Sequence, residues 1–567
     1  MKASRLIAEA APPGGRMHWI LALPGLALWL PLALGAGWRR GEPLLDPDDY
    51  MHVVRLWQVV ERGGWAGGFL ARDGAPGGSV LHWTMPYDLM MLAVAAPLAP
   101  ALGWHEAIRL LAPFGALLTG LLLVAAVAWA AAPGGRPAAT VLAAMLAATP
   151  DVVVSYGALG RDDHHLLILA LWVAIGGALW RLLLPCAGMR AGALLGGLSA
   201  LGGWVALEAF APGLAAAVAL AGLVACDRAR WRRAALGFAV VFPAGIGLAL
   251  LLDPPAVVTV DRLSPLFLID AALAALAVLV PVAGARLPAT LAAVVLAAVL
   301  AAPPFLAALA PYPDPAVWQS FVADVAELRA LSWPGDGLVV VGPGLVGLGF
   351  ALWLASTGRR LAWLALAAGQ AVLIVLAARH ARLALYPCTL GSMIAAAGLA
   401  RLFAVAPAGI GLRLLRAAAT VAVAVAPLLA GALLVRPASG PASRCAVAAA
   451  AAAIERERPG AIVLADPDLS PKLLYWGASL RTVAGPYHDN RDGLVDVFHA
   501  AGAGEDGLAA ILARRQASFM LVCGRPGDGQ AALRNRLLAG DSPGWLRPLP
   551  LGAGDAADLR LYRVELR

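Results

Sequence analysis

Gly160-Arg161-Asp162-Asp163-His164-His165 lies between two apolar runs, each of which has the length and composition of a membrane span. Charged and imidazole side chains are costly to keep at the edge of a bilayer, so a cluster of them there indicates a functional site. Aspartate and histidine are also side chains that bind divalent cations. We therefore expect the rest of the chain to present this cluster at the membrane surface.

The composition of the whole chain is typical of a membrane protein. Of its 567 residues, 61% are hydrophobic and 14% are charged. Several apolar segments reach about 20 residues, the length of a helix that crosses the hydrocarbon layer. The formal net charge of +8 comes from arginines in the short loops between these segments, as the positive-inside rule requires. The sequence therefore predicts a polytopic α-helical membrane protein with no nucleic-acid partner.

The alternation of apolar segments and arginine-rich loops predicts about 13 transmembrane helices within residues 1–436. The first, at 19–36, is expected to be a retained span and not a cleaved signal peptide. A long external loop at 38–106 follows it, and its apolar stretch at 86–102 is short and proline-bounded, which favours a re-entrant or interfacial helix. The next three spans are predicted at residues 109–131, 139–156 and 165–184.

The C-terminal segment, residues 437–567, has a mixed, more polar composition and predicts a small α/β domain. Residues 461–465 and 519–523 each have the pattern of a strand that runs into a turn. The parity of the spans predicts that this domain is extracytoplasmic. In that compartment Cys445 and Cys523 could form a disulfide.

A second acidic cluster, Asp46-Pro47-Asp48-Asp49-Tyr50-Met51-His52, follows the first apolar run. We expect it to emerge on the same face as residues 160–165, so that Asp48 and Asp163 or His165 share a hard divalent cation, Mg²⁺ or Mn²⁺. Such an ion neutralises a leaving phosphate or pyrophosphate, and a free carboxylate beside it acts as a base or orients the acceptor. The further candidates in the two clusters are Asp46, Asp49, His52, Asp162 and His164. The alternative for Asp46, Asp48 and Asp49 is a solvated loop start and helix cap. The alternative for His164 is a helix-start residue that faces the lipid headgroups.

The two clusters resemble the two acidic motifs of the catalytic subunit of oligosaccharyltransferases. The stretch Asp48–His52 is similar to the first motif, and 160–165 is similar to the second, especially in its archaeal Asp-His-His form. The broader class is that of the GT-C membrane glycosyltransferases. The resemblance implies transfer of a sugar or oligosaccharide from a polyprenyl-phosphate or polyprenyl-diphosphate donor to an extracytoplasmic protein, glycan or lipid acceptor. It also implies a location in a bacterial-type inner (plasma) membrane, with an extracytoplasmic active site.

The resemblance assigns roles to individual residues. It implies that Asp48 is the metal-binding acid of the first loop, and that Asp163 and His165 are the metal-binding pair of the second motif. Glu327 matches an acceptor-binding glutamate after the ninth span, so Asp48 and Glu327 are the candidate catalytic residues. The alternative for Glu327 is a solvated position on an amphipathic helix.

The resemblance also implies an arginine that contacts the lipid-linked phosphate, for which Arg382 and Arg379 are the candidates. An arginine suits this role because it is always charged and donates in a fork. The alternative is an arginine that anchors its helix at the lipid headgroups. Two further candidates for the cleft are Glu208 and His488, with an interfacial position and a surface turn as their alternatives.

The resemblance fails at one motif. Oligosaccharyltransferases carry a Trp-Trp-Asp motif that reads the acceptor sequon, and this chain has Leu474-Tyr475-Trp476-Gly477-Ala478 in a comparable place, without the aspartate. We therefore do not predict recognition of a sequon.

The competing function is a transporter or flippase of lipid-linked glycans. Transporters have internal repeats and spans interrupted at the midplane, whereas here no repeat is evident and the charged groups cluster at one surface.

Overall fold

The chain folds into a helical membrane part followed by an α/β domain. The computed structural model describes residues 17–38, 43–65, 67–134, 137–183, 188–308, 312–325, 328–332, 335–357, 360–404, 411, 418, 445–524, 532–551 and 558–566. The helices described before residue 405 are α1 (Met17–Trp38), α2 (Pro47–Arg62), α3 (Met85–Ala95), α4 (Ala99–Leu102), α5 (Trp104–Leu111), α6 (Gly115–Ala131), α7 (Pro137–Ala147), α8 (Asp151–Tyr156), α9 (His165–Leu182), α10 (Met189–Val205), α11 (Leu207–Cys226), α12 (Arg228–Leu252), α13 (Pro265–Val282), α14 (Leu287–Ala308), α15 (Pro315–Asp324), α16 (Gly335–Thr357), α17 (Arg360–Arg379) and α18 (Leu385–Ala404).

Ten segments in the described part of the chain are long and apolar enough to cross a membrane. They are Trp19–Ala36, Trp104–Ala131, His165–Leu182, Leu207–Cys226, Arg228–Leu252, Pro265–Val282, Leu287–Ala307, Gly337–Thr357, Ala362–Arg379 and Ala381–Phe403. The prediction of a polytopic α-helical membrane protein is thereby confirmed. The number of about 13 spans is not.

The difference in number has a local cause at the third predicted span. Residues 139–156 do not form one helix but divide into α7 and α8 around Thr149 and Pro150. Proline has no N–H to donate, and it disfavours a helical conformation of the preceding residue. In addition, α10 has 17 residues, at the lower limit for a span. The thirteenth predicted span lies outside the described residues.

Two glycines bring the loop that carries residues 160–165 against α1. Trp29 of α1 is fully buried. A Cβ atom added to Gly120 of α6 would lie 2.1 Å from the Trp29 indole, and one added to Gly157, after α8, would lie 2.0 Å from it. Because a side chain at either position would displace the indole, the chain before the second acidic cluster rests directly on α1.

The first external segment contains a helix, a hairpin and a short apolar helix. The hairpin strands β1 (Phe69–Leu70) and β2 (Ser79–Val80) pair antiparallel between α2 and α3. With 11 residues, α3 is too short to cross the membrane. This length agrees with the interfacial helix predicted at 86–102.

The C-terminal segment forms the predicted α/β domain. Its strands are β3 (Ile462–Leu464), β4 (Arg481–Thr482), β5 (Phe519–Cys523), β6 (Leu546–Leu549) and β7 (Leu559–Val564), and its helices are α19 (Val447–Glu457), α20 (Ser470–Trp476), α21 (Arg491–Gly502), α22 (Glu505–Arg514) and α23 (Ala532–Ala539). The sheet order is β4-β3-β5-β7-β6, with β4, β3 and β5 parallel and the last two strands antiparallel. Cys445 and Cys523 form a disulfide with their Cα atoms 6.1 Å apart.

The hairpin of the first external segment docks on the C-terminal domain through Asp73. This aspartate is fully buried, and its carboxylate accepts hydrogen bonds from Ser79 Oγ at 2.7 Å, Thr482 Oγ1 at 3.1 Å and the N–H of Gly485 at 2.6 Å. The N–H of Thr482 also donates to the carbonyl of Arg72 at 2.8 Å. One anchor therefore fixes both the hairpin and the turn that follows β4.

Candidate active site

A cavity of about 1130 Å³ lies where the first residues of α9 and α11, the first external segment and the C-terminal domain meet. Six of its polar lining residues are Asp48, His82, His165, Glu208, Arg382 and His488. Pockets for small ligands typically have volumes of about 300–1,000 Å³, so this cavity can hold a phosphate together with a sugar. Residues of both acidic clusters therefore share one cavity.

The first cluster is shaped by the cap of α2. Asp46 is the N-cap and accepts a hydrogen bond from the N–H of Asp48 at 3.3 Å, and Pro47 starts the helix. The Asp49 carboxylate reaches back to accept from the N–H of Asp46 at 2.7 Å, which completes a capping box. Asp46 and Asp49 thus have structural roles as caps, and the carboxylate between them, on Asp48, lines the cavity.

The second cluster surrounds Asp163. Both oxygens of its carboxylate lie 2.7 Å from Nδ1 of His165, and Oδ1 lies 3.1 Å from Nδ1 of His164. Arg161 donates from its guanidinium to Asp163 Oδ2 at 2.8 Å. These cationic and hydrogen-bonding neighbours outweigh the effect of burial and hold the pKa of Asp163 well below its usual range. Asp163 is therefore a carboxylate at neutral pH.

Arg161 joins the two clusters. Beside its bond to Asp163, its guanidinium lies 2.9 Å from Asp46 Oδ2 and 3.6 Å from Asp49 Oδ1. Asp49 Oδ1 also accepts a hydrogen bond of 2.8 Å from the N–H of Asp162. Burial, with the charges of Asp46 and Asp163, raises the pKa of Asp49 to about 7, although Arg161 lowers it. Sequence reasoning named Arg161 in the stretch but did not predict this role.

Asp162 and His52 are buried behind the cavity. The Tyr87 hydroxyl donates to Asp162 Oδ1 at 2.5 Å, and burial raises the pKa of Asp162 well above its usual range. The imidazole of His52 stacks on Trp83 with ring centroids 4.0 Å apart, and its Nδ1 lies 3.4 Å from Asp88. Both candidates therefore support the site from outside its polar lining.

His164 and His165 are adjacent in sequence, and the imidazoles of both lie beside the Asp163 carboxylate. Both line the cavity, and His165 begins α9. Burial lowers the pKa of His164 to about 4, so its imidazole is neutral at neutral pH. A neutral imidazole can bind a cation or donate one hydrogen bond to an anion.

Of the two arginines predicted to bind phosphate, Arg382 lines the cavity and Arg379 is exposed at the end of α17. Arg382 donates to Glu208 Oε1 at 2.7 Å, an ion pair between two candidates that lie 174 residues apart. Glu208 therefore occupies part of the guanidinium fork that an anion would bind.

Glu327, the second candidate catalytic residue, lies outside the described residues. Its described neighbours Val325 and Leu328 line the cavity.

The stretch Leu474-Tyr475-Trp476-Gly477-Ala478, which lacks the aspartate of the Trp-Trp-Asp motif, packs against α2. Tyr475 stacks on Trp57 with centroids 5.3 Å apart and meets the edge of Tyr50 at 5.1 Å, so this stretch buries its aromatic surface against α2.

Sequence reasoning did not name two polar residues of the cavity, His82 and Asp261, as candidates. His82 and Asp261 line it, and Asp489 lies 3.2 Å from the His82 imidazole. His82 and Asp261 each stand apart from the two acidic clusters in the sequence, whereas Asp489 directly follows His488. Only the fold of the external segments brings His82 and Asp261 to His488, which sequence reasoning did name.

The residues at the cavity include side chains of the kinds that bind a divalent cation. Asp48 and His165 line the cavity, and the Asp163 carboxylate lies 2.7 Å from the His165 imidazole. His52, Asp163 and His164 also present ligand atoms within 4.8 Å of one another. Two carboxylates and an imidazole are acceptable to Mn²⁺, and the carboxylates alone to Mg²⁺.

Comparisons with known proteins give structural relatives only. Neither protein-family models nor curated protein sequences match the chain. Three solved structures of the oligosaccharyltransferase AglB of Archaeoglobus fulgidus are similar to it. The complex with an inhibitory peptide and a dolichol-phosphate is 15% identical over 89% of this chain and 69% of that one, with a TM-score of 0.69.

The form tethered to an acceptor peptide is 16% identical over 90% and 69% of the two chains, also with a TM-score of 0.69. The complex with zinc and sulfate is 16% identical over 88% and 67%, with a TM-score of 0.65. At this level of identity the similarity concerns the fold. The chain therefore has the fold of the archaeal oligosaccharyltransferase.

Proposed function

We propose that the protein is a membrane glycosyltransferase. In this proposal it transfers a sugar or oligosaccharide from a polyprenyl-phosphate or polyprenyl-diphosphate donor to an extracytoplasmic acceptor. The observation that supports the proposal is that Asp48, His165 and Arg382 line one cavity, with the buried Asp163 carboxylate 2.7 Å from the His165 imidazole. Acids that hold a cation beside a fixed guanidinium are suited to a substrate whose leaving group is a phosphate.

Arg382 is the candidate for the donor phosphate. It precedes α18 at the edge of a membrane span, where the headgroup of a polyprenyl lipid would lie. A dolichol-phosphate is bound in one of the similar AglB structures, which supports a lipid-linked ligand for this fold. A phosphate that binds Arg382 must compete with Glu208. Donor binding would therefore replace the Glu208 carboxylate at the guanidinium with the donor phosphate.

The proposed cofactor is a divalent cation, Mg²⁺ or Mn²⁺, held by Asp48, Asp163 and His165. When bound, it would supply Lewis-acid stabilisation of the leaving phosphate. Zinc and sulfate are bound in one AglB structure, which supports a cation site in this fold. Arg161 orients Asp163 and balances the negative charge that remains in the cluster when the cation is absent.

The chain's own residues would divide the remaining work. Asp48, in the cavity, orients the acceptor and accepts its proton, and Glu327 is proposed to hold the acceptor. Neutral His164 is suited to donate a hydrogen bond to a phosphate oxygen. Because Tyr475 is buried against α2, we propose no sequon reader, and the acceptor is a protein, glycan or lipid.

We further propose that residues 1–436 form the membrane domain and 437–567 an extracytoplasmic domain, in a bacterial-type inner membrane. The disulfide between Cys445 and Cys523 supports an oxidising compartment for the second of these. The cavity, which this domain helps to line, would then open to the same compartment.

The test is transfer in detergent solution. Purified protein is mixed with a panel of polyprenyl-linked sugars and with peptide, glycan and lipid acceptors. Release of the polyprenyl phosphate or diphosphate and the matching glycosylated acceptor are followed by mass spectrometry. Turnover by the wild type and its loss in Asp163→Ala, with unchanged elution on size exclusion, is the expected result. Detergent provides no second compartment, so a flippase would give no turnover. Equal turnover by Asp163→Ala would refute the proposed site.

A further inference from the structure

A second group of four metal-ligand side chains lies at the cavity, and three of them, His82, Asp261 and His488, line it. It consists of His82 after the hairpin, Asp261 between α12 and α13, and His488 and Asp489 in the turn after β4. One ligand atom from each of these four side chains lies within 4.8 Å of all the others. This group shares no residue with Asp48, Asp163 and His165.

The four side chains converge on a single point. Nε2 of His488 contacts Asp261 Oδ2 and lies 3.7 Å from Asp489 Oδ1. The other oxygen of Asp489 lies 3.2 Å from Nδ1 of His82. The two imidazole rings face one another, with centroids 4.8 Å apart. Each carboxylate therefore lies against an imidazole nitrogen of the group.

The separations suit a tetrahedral cation. Ligand atoms about 2.1 Å from a Zn²⁺ ion are about 3.4 Å apart in tetrahedral geometry. Two neutral imidazoles and two carboxylates also sum to a charge of minus two, which one divalent cation neutralises. Between 12% and 30% of each side chain remains exposed, so an ion can reach the group from the cavity.

Neighbouring contacts hold the segments that carry the ligands. Arg262 forms a fully buried ion pair with Asp253 at 2.8 Å and donates to the carbonyl of Leu81 at 3.1 Å. Arg262 directly follows the ligand Asp261 in the sequence, and Leu81 directly precedes the ligand His82. On the other side, Asn490 caps α21 and donates to the carbonyl of Val483 at 3.1 Å. A preorganised ligand set of this kind favours metal binding.

We propose that His82, Asp261, His488 and Asp489 form a second metal site, which binds a divalent transition metal, with Zn²⁺ as the best fit. Two histidines and two carboxylates complete the four-coordinate shell of a structural zinc site. Because the ligands come from the first external segment, the α12–α13 loop and the C-terminal domain, the ion fastens this domain to the membrane part. It thereby fixes the width of the cavity.

The test measures zinc retained by full-length protein in detergent. Protein is stripped with a chelator, loaded with Zn²⁺ alone, desalted and analysed for metal by mass spectrometry. The Asp163→Ala variant removes a ligand of the first proposed site, so zinc retained by it reports the second. We expect Asp163→Ala to retain one Zn²⁺ per chain, and the triple variant Asp163→Ala/His82→Ala/His488→Ala to bind it at least about tenfold more weakly.

The matched control is His499→Ala in the Asp163→Ala background. His499 also pairs with an aspartate across the same domain boundary, Asp314, at 2.8 Å, but within the described part of the chain this pair belongs to no group of three or more ligand side chains. We expect this variant to retain its zinc. Equal retention by the triple variant would mean that the four residues form only an ion-pair network, and equal loss in His499→Ala would mean non-specific binding; either result overturns the proposal.

X-ray absorption on zinc-loaded Asp163→Ala provides a readout that does not depend on folding of the triple variant. The proposed site predicts two imidazoles and oxygen ligands in the zinc shell. A shell with fewer than two imidazoles would overturn it. The result is independent of glycosyl transfer, because a protein without transferase activity would still bind this ion.

Discussion

The carboxylate of Asp49 accepts a hydrogen bond of 2.8 Å from the backbone N–H of Asp162, across 113 residues of chain. Asp49 also closes the capping box of α2, so one buried side chain fixes the start of this helix against the second acidic cluster. The two proposed metal ligands, Asp48 and Asp163, each adjoin one partner of this bond. Their relative position is therefore set by neighbours that do not themselves line the cavity.

The first prediction concerns these two ligands. Asp48→Asn and Asp163→Asn each replace a charged oxygen ligand by a neutral amide of the same shape. We expect transfer, measured as kcat/KM for a polyprenyl-linked donor, to fall at least about 100-fold in each variant, because loss of a direct ligand should exceed the effect of losing a partner that only orients it. Excess Mn²⁺ should restore part of the activity.

The control for this experiment is Asp541→Asn. Asp541 is an exposed aspartate that pairs with Arg536 at 2.7 Å, on the surface of the C-terminal domain. We expect activity within about twofold of the wild type, since exposed ion pairs contribute little. A comparable loss in all three variants would indicate a general effect of removing a negative charge, and would count against a metal site.

The second prediction concerns Arg161, which contacts Asp46, Asp49 and Asp163. Arg161→Met leaves the buried acids without their cation, and breaking such a buried pair costs about 3–5 kcal/mol. We expect a lower free energy of unfolding by this amount, measured by chemical denaturation in detergent. Arg161→Lys should be intermediate, because an ammonium group keeps the charge but not the fork.

Arg536→Met serves as its comparison, since it removes an arginine from an exposed ion pair. Its free energy of unfolding should stay close to that of the wild type, because exposed ion pairs contribute little. If Arg161→Met were equally mild, the two clusters would have to be held together by other contacts, and the role given to Arg161 would be wrong.

The sequence was sufficient to predict those features that depend on runs of residues. Membrane spans are long apolar segments, and the strands β3 and β5 are short apolar runs before a turn, so both can be recognised locally. The two acidic clusters were recognisable for the same reason, because several ligand-type side chains stand side by side. The interruption between α7 and α8 also had a local signal, Pro150, which the prediction of one continuous span overlooked.

Features that depend on contacts between distant residues could not be predicted. Glu208 and Arg382 pair across 174 residues, and neither position indicates its partner. Asp261 is a single acid in a loop, and only the packing of that loop brings it to His488. The role of Asp49 as a cap, which the sequence offered as an alternative, has a local signal in Asp46-Pro47-Asp48-Asp49, because an acid three residues after an N-cap is typical of a capping box.

The third prediction concerns the ion pair between Glu208 and Arg382. Arg382→Ala removes the proposed phosphate partner, and hydrogen bonds to charged groups contribute about 1.5–3 kcal/mol. We expect the KM for the lipid-linked donor to rise about 10- to 100-fold, with a smaller change in kcat. Glu208→Gln removes the competing anion, so we expect a lower donor KM than in the wild type.

Arg379→Ala is the matched variant, since Arg379 is exposed at the end of α17. Donor KM should not change in this variant. If Arg379→Ala raised KM while Arg382→Ala did not, Arg379 and not Arg382 would be the phosphate-binding arginine. A higher KM in Glu208→Gln would show that Glu208 orients Arg382 for the donor instead of competing with it.

The last prediction concerns the pH dependence of stability at Asp73, the anchor between the hairpin and the C-terminal domain. Burial raises the pKa of Asp73 above 3.8, although its hydrogen bonds from Ser79, Thr482 and Gly485 oppose this shift. On raising the pH, the unfolded chain therefore releases the Asp73 proton before the folded protein does. The contribution of this group to stability falls as the pH rises through 3.8 to the folded pKa, and is constant above it.

Asp73→Asn cannot ionise and keeps an oxygen that accepts from Thr482 and Gly485. We expect the stability of this variant to lack the fall. The difference in free energy of unfolding, variant minus wild type, should therefore increase as the pH rises from 3.8 to the folded pKa, and level off above it. Asp73→Ala instead leaves the donors of Ser79 and Gly485 unpaired, at about 1–3 kcal/mol for each buried group, and should destabilise the protein at every pH. Denaturation at a series of pH values measures both curves. If the difference in free energy of unfolding between Asp73→Asn and the wild type did not change with pH, the pKa of Asp73 would be the same in the folded and unfolded protein. Burial would then not raise this pKa, and the prediction would be wrong.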